Sequence, residues 1–277
     1  MQLDGALFVI ERRSVGRCID LAVAFFREHM LTLLRLTAVF GVPSCAFVWW
    51  ATEHTARGLF TNIMVFSCVS PLLGGALAVG CGQRVFGSPL TVAGCLAKLW
   101  QRVFTLMFVA LIVRLGCFMF VWFFVIPAIL LANRYGFMPE LLYLEQVKWT
   151  KAEKRLSVLT KSYFSDLMGR MMIISFFYMI TVISMFAIAD TVGTLLLGSP
   201  ILFSRLTFGP DWLPEMWDLL WTDALITTVV HASLWLAYPI CRLAWLFCYL
   251  DLRIRREGWD IDLDCRIEAK RLEAALG

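Results

Sequence analysis

The sequence predicts an all-α fold: a polytopic membrane helical bundle of six transmembrane helices arranged as three hairpins, each preceded by a cytoplasmic interfacial amphipathic helix. Three observations lead there. The composition is 60% hydrophobic and 17% charged over 277 residues, against roughly 45–50% and 25% in soluble domains. Several stretches of about 20 apolar residues are long enough to cross a hydrocarbon core of about 30 Å. The basic residues are also segregated strongly by position along the chain. A water-soluble enzyme is excluded by the first observation, because a domain of this size cannot hide so much apolar surface. The net charge of +4 does not point to nucleic acid.

Taken in order, residues 14–28 place Val15, Ile19, Ala22, Val23 and Phe26 on one helical face, with Arg13, Arg17, Asp20, Arg27 and Glu28 opposite. That is too short and too charged to span, and it reads as an interfacial helix. The first span, 30–51, carries Arg35 and Pro43 and ends in Trp49-Trp50, a pair suited to the headgroup level. The second, 59–81, contains Pro71 and the small pair Gly74-Gly75, which permits close helix approach within or between chains. Ser88-Pro89 reads as a helix start, with Ser as N-cap and Pro at the first helical position. Residues 89–102 then repeat the amphipathic device, and 150–169 repeat it again, so three parallel units are expected. Val103 to Ala132 would overshoot the bilayer as one straight helix, about 45 Å. Pro127 interrupts it, and spans at 103–125 and 127–145 are expected, followed by spans at 171–189 and 218–241. A polar loop with Asp190, Arg205, Asp211 and Glu215 separates the last two. Residues 1–253 form one membrane domain, and 254–277 a cytoplasmic tail.

Charge decides the count. With six spans, one side receives Arg12, Arg13, Arg17, Arg27, Arg84, Lys98 and Arg102, then Lys148, Lys151, Lys154, Arg155, Lys161 and Arg170, then Arg253, Arg255, Arg256, Arg266, Lys270 and Arg271. The other side receives Arg57 and Arg205. A single span over 103–145 would move the six basic residues of 148–170 across and weaken the bias. The positive-inside rule therefore selects six spans with both ends cytoplasmic.

Val125-Ile126-Pro127-Ala128-Ile129, then Ala132-Asn133-Arg134-Tyr135 and Pro139, then Leu144-Glu145, are followed by the amphipathic Ala152…Lys154-Arg155-Leu156…Lys161…Phe164. This pattern resembles the glycerophosphoryl diester phosphodiesterase membrane-domain-like family and related six-span bacterial membrane proteins. The segment 249–263, YLDLRIRREGWDIDL, is similar to the ending of such proteins. The resemblance implies six helices and a bacterial cytoplasmic membrane. It implies little about activity, because the phosphodiesterase chemistry belongs to a separate soluble barrel that has no counterpart here.

Ionisable residues inside spans are the default functional candidates, since each costs at least ~2.5–3.5 kcal/mol at a helix centre. Arg35 and Arg242 lie near span ends and can snorkel. Deeper lie Arg114, Arg134, Glu140, Asp223 and His231, the last two sharing a helical face with Thr227. The expected pairs are Arg114 with Glu140 and Arg134 with Asp223, around a polar interior stripe. Lys148, Lys151, Lys154, Arg155 and Lys161 should face anionic phospholipid headgroups, each gaining about 1 kcal/mol.

The sequence contains no HExxH, GxSxG, Walker A or GxGxxG motif, and its three His are far apart. Its nine Cys are scattered without a CxxC. The first residues lack the basic start and long apolar run of a cleavable signal. The chain is therefore expected to be non-enzymatic and without cofactor. It would serve as an accessory or scaffold component of a membrane complex, with a membrane or cytoplasmic protein as partner. The alternative is a transporter-like protein for a small molecule or lipid, suggested by the prolines at 43, 71, 127 and 239, since broken spans often line binding sites. A periplasm-active reporter fused after Lys161 is expected to be silent, and activity there would overturn the six-span count.

Overall fold

The computed structural model describes residues 13–85, 89–123, 125–147, 149–198, 202 and 212–257. The described residues contain helices and no strand. Among the described residues, five helices are long and apolar enough to cross a membrane: α2 (Met30–Thr55), α3 (Gly58–Val85), α5 (Val103–Phe123), α9 (Phe164–Leu197) and α11 (Ala224–Glu257). The shorter α1 (Val15–Glu28), α4 (Val92–Trp100) and α8 (Trp149–Thr160) precede α2, α5 and α9. The expected boundaries hold for α1, α2, α3 and α5 to within a few residues.

Local chemistry explains most starts and stops. Ser14 caps α1 by accepting from the Arg17 amide, and Thr91 caps α4 by accepting from Gly94 N at 3.2 Å. The start of α4 is therefore Thr91 and not Ser88-Pro89; Pro89 is non-helical and Ser88 lies outside the described residues. Ala56, at φ 50°, ends α2 in the left-handed region. Asp223 caps α11, its Oδ1 accepting from Ile226 N at 3.0 Å.

Three expected segments are each divided between helices. The span at 127–145 is two short helices, α6 (Val125–Tyr135) and α7 (Met138–Tyr143). They separate at Gly136-Phe137, where an added Cβ on Gly136 would come within 3.0 Å of the Trp245 ring. The span at 218–241 divides into α10 (Trp212–Thr222) and α11, because Asp223 supplies a new N-cap. The amphipathic segment 150–169 ends as α8 at Thr160, and a 3₁₀ turn at Lys161–Tyr163 leads into α9. Prolines 43, 71 and 239 lie inside continuous helices, and Pro127 sits in the first turn of α6, where a missing N–H costs nothing. Asp190 is buried in α9, accepting from Leu202 N at 2.7 Å, and so is no part of a polar loop. Arg205, Asp211 and the segment 258–277 lie outside the described residues.

α11 is the spine of the bundle, packing against α9, α2, α1 and α3. Its residues from Leu243 to Tyr249 are almost wholly buried, and Trp245 stacks on Phe137 with ring centroids 4.5 Å apart. The outer faces of α5 and α9 carry exposed Phe104, Phe108, Leu115, Phe176 and Leu195, as helices solvated by lipid would. The Gly74-Gly75 pair serves packing within the chain. A Cβ on Gly75 would lie 2.8 Å from Leu106, 2.9 Å from Leu99 and 3.0 Å from Tyr143, on three different helices. Gly75→Val is accordingly expected to lower stability in detergent by ~1–3 kcal/mol through overpacking. Gly169→Ala, which meets open space, should be neutral or stabilising by up to ~1 kcal/mol; thermal unfolding of the two variants checks both.

Candidate functional site

Three layers of buried polar groups follow one another along α11. The first surrounds His231, which is fully buried. Asn62 of α3 reaches across to Thr227 O at 3.1 Å with its amide nitrogen, and its Oδ1 lies 2.9 Å from His231 Nδ1. Trp235 Nε1 donates to His231 Nε2 at 3.0 Å. Indole nitrogen can only donate, so Nε2 is unprotonated, and the proton sits on Nδ1, donated to Asn62. Ser44 of α2 completes the enclosure, its Oγ 3.1 Å from Nε2 and donating to Gly41 O at 2.8 Å. The layer ties α2, α3 and α11 together.

The second layer lies about 16 Å further along α11, 11 residues at 1.5 Å each. Arg242 Nη2 meets the fully buried Glu140 carboxylate at 2.6 and 2.7 Å, and its Nη1 donates to Gly136 O at 3.3 Å. This corrects the expected pairing of Glu140 with Arg114. Arg114 instead donates to Ser70 Oγ at 2.9 Å. The guanidinium of Arg242, read from sequence as a snorkelling end residue, is 10% exposed. Beside this pair a cavity of 230 Å³ is lined by Pro71, Arg114, Cys117, Tyr135, Tyr238 and Arg242 among others.

The third layer closes the other end. Glu145 accepts from Arg155 Nε at 2.8 Å and from Tyr249 Oη at 2.5 Å, with Arg253 at 3.5 Å. Burial pushes the Glu145 carboxyl up, but those hydrogen bonds and the Arg253 charge outweigh it and hold the group below its usual range. Asp251, 1% exposed, meets Arg170 at 2.7 Å and Arg255 at 2.9 Å, and accepts from Arg13 N at 2.6 Å. Arg170 and Arg255 both donate in turn to Arg13 O. The start of the described chain, α9 and the end of α11 are thus held by one ion cluster.

The remaining candidates lie elsewhere. Arg134 is half exposed, 3.0 Å from Glu153 of α8 and stacked over Tyr135. Its expected partner Asp223 sits at the start of α11 as a helix cap, so that pair is also corrected. Lys151, Lys154 and Lys161 are exposed, Lys148 lies outside the described residues, and Arg155 is engaged by Glu145. Sequence reasoning missed Asn62, Ser70, Glu145, Arg170 and Asp251. The i, i+4 spacings Asp166–Arg170 and Asp251–Arg255 were the available signal, but a helix end rich in both signs reads as solvated. Among the described residues no group of three or more His, Cys, Asp and Glu could hold a metal ion.

The chain finds no match among protein-family models, curated proteins or solved structures.

Removing one partner from a buried ion pair costs about 3–5 kcal/mol. Glu140→Gln is expected to destabilise on that scale, and Glu140→Gln/Arg242→Gln to recover part of the loss. In double-mutant cycles on thermal unfolding, coupling of Glu140 to Arg242 should exceed its coupling to Arg114. The reverse order would contradict the pairing.

Proposed function

We propose that this integral membrane protein crosses a bacterial cytoplasmic membrane six times, with both termini and the basic amphipathic helices on the cytoplasmic side, and acts as a non-enzymatic accessory or scaffold component of a membrane complex. The observation that carries the reading is that the most deeply buried polar group of each layer is held by the chain's own groups. His231, Glu140 and Asp251 are each at most 2% exposed and each held by partners at 2.6–3.1 Å. A carrier would keep such groups facing a shared path, but the cavity beside Arg242 includes neither His231 nor Arg134 in its wall.

The sixth crossing is assigned to α6 and α7 together. Arg102, just before α5, donates to Leu142 O at 3.1 Å and Val147 O at 3.2 Å, so the chain returns by residue 147 to the level from which α5 departs. Lys151, Lys154 and Lys161 then lie where anionic headgroups are expected. The exposed Trp100 and Phe104 at the α4–α5 junction offer an apolar edge to a partner in the membrane.

A transporter-like role for a small molecule or lipid is the second reading, favoured by the cavity at Arg114. The two are separated by reconstitution. In liposomes the protein should leave solute leak and fluorescent-lipid scrambling at the rate of empty vesicles. A photo-cross-linking residue at position 100 or 104 in the native membrane should give a discrete heavier species. Protein-dependent flux that is lost in Arg114→Gln would overturn the accessory reading in favour of the carrier.

A further inference from the structure

The second layer is not electrically balanced. It holds two guanidinium groups, Arg114 and Arg242, against one carboxylate, Glu140. Glu140 is committed to Arg242 at 2.6 Å. Arg114 has a neutral partner, the Ser70 hydroxyl, on Nη2, and its buried Nη1 has no hydrogen-bond partner among the described residues. A partly buried cation whose inner nitrogen is unpaired is costly for a membrane helix to carry. It persists where something of opposite charge completes it.

The space beside it has the shape for such a completion. The 230 Å³ cavity brings Arg114, Tyr238 and Arg242 into one wall, room for several times the ~30 Å³ share of a liquid water. Gly74 keeps the wall polar: a Cβ there would lie 2.9 Å from Tyr238 Oη and 3.1 Å from Arg242 Nε, so any side chain would push both groups away. Most of the remaining lining is apolar, including Pro71, Leu106 and Val113. Arg114 sits 11 residues into α5, about 16 Å from its start, on a helix whose Leu111 and Leu115 are 57% and 59% exposed.

We propose that this cavity binds the oxyanion head, phosphate or carboxylate, of a membrane amphiphile. Arg114 Nη1 supplies the primary contact, and Arg242 and Tyr238 border the head. One monoanion balances the layer, and the apolar lining takes the adjoining chain. The site stands whether the protein is an accessory component or a carrier, because it concerns binding and not flux.

The test uses the full chain in phosphatidylcholine nanodiscs, with phosphatidic acid, oleate and inorganic phosphate as probes and thermal unfolding as readout. Phosphatidic acid or oleate should raise the unfolding temperature in a saturable way, and inorganic phosphate should not. Arg114→Gln, which keeps a donor for Ser70, should weaken the response about tenfold or more, one charged hydrogen bond's worth. Arg114→Lys should retain part of it, and Arg57→Gln, at the exposed link between α2 and α3, should retain all of it. An equal response in Arg114→Gln, or none to either amphiphile in the wild type, overturns the proposal. An equal response to inorganic phosphate overturns the lipidic source and leaves a free-anion site.

Discussion

One guanidinium holds the centre of this molecule together. The chain after α5 is broken between α6 and α7 at Gly136-Phe137, and a break in buried, apolar surroundings leaves backbone carbonyls where little water can satisfy them. It also carries Glu140, a carboxylate that cannot stay charged and unpaired in such surroundings. Arg242 answers both problems from α11, donating to Gly136 O with one nitrogen and to Glu140 with the other. The broken helix can exist because α11 passes it at this height. Equally, α11 can carry an arginine there because the break supplies acceptors.

The same logic repeats at the other layers and explains why α11 is central. Apolar faces slide past one another in lipid with little preference for register, because lipid tails are as apolar as leucine. Directional bonds at fixed heights remove that freedom. His231 sets α11 against α2 and α3, Arg242 sets it against α6 and α7, and Asp251 sets it against α9 and the residues before α1. Three unequal ties along 34 residues leave one way to assemble the bundle.

Much of the helical plan was legible in the sequence because it rests on periodicity and hydropathy, which are local. The amphipathic faces of 14–28 and 89–102 and the long apolar runs required no knowledge of neighbours. Partner choice was not legible, since spacing tells which residues share a face but not which faces meet. Arg114 and Glu140 stand at compatible depths by residue counting, yet it is Arg242 of α11 that reaches the carboxylate. Asp251 was obscured differently. In a segment alternating acid and base it looks solvated, and only the arrival of Arg170 from α9 and the backbone of Arg13 reveals it as interior. Continuous helices through Pro43 and Pro71 show a further gap: a proline marks a lost hydrogen bond, and whether the helix breaks there depends on what packs around it.

The imidazole in the first layer is locked by a neighbour that cannot change role. Trp235 donates to Nε2 and has no lone pair to offer in return. A second proton on His231 would therefore set two N–H groups against each other at 3.0 Å, with Asn62 already committed on the far side. Histidines that relay protons need a neighbour able to exchange donor for acceptor. This one is held as a fixed polar strut between α2, α3 and α11.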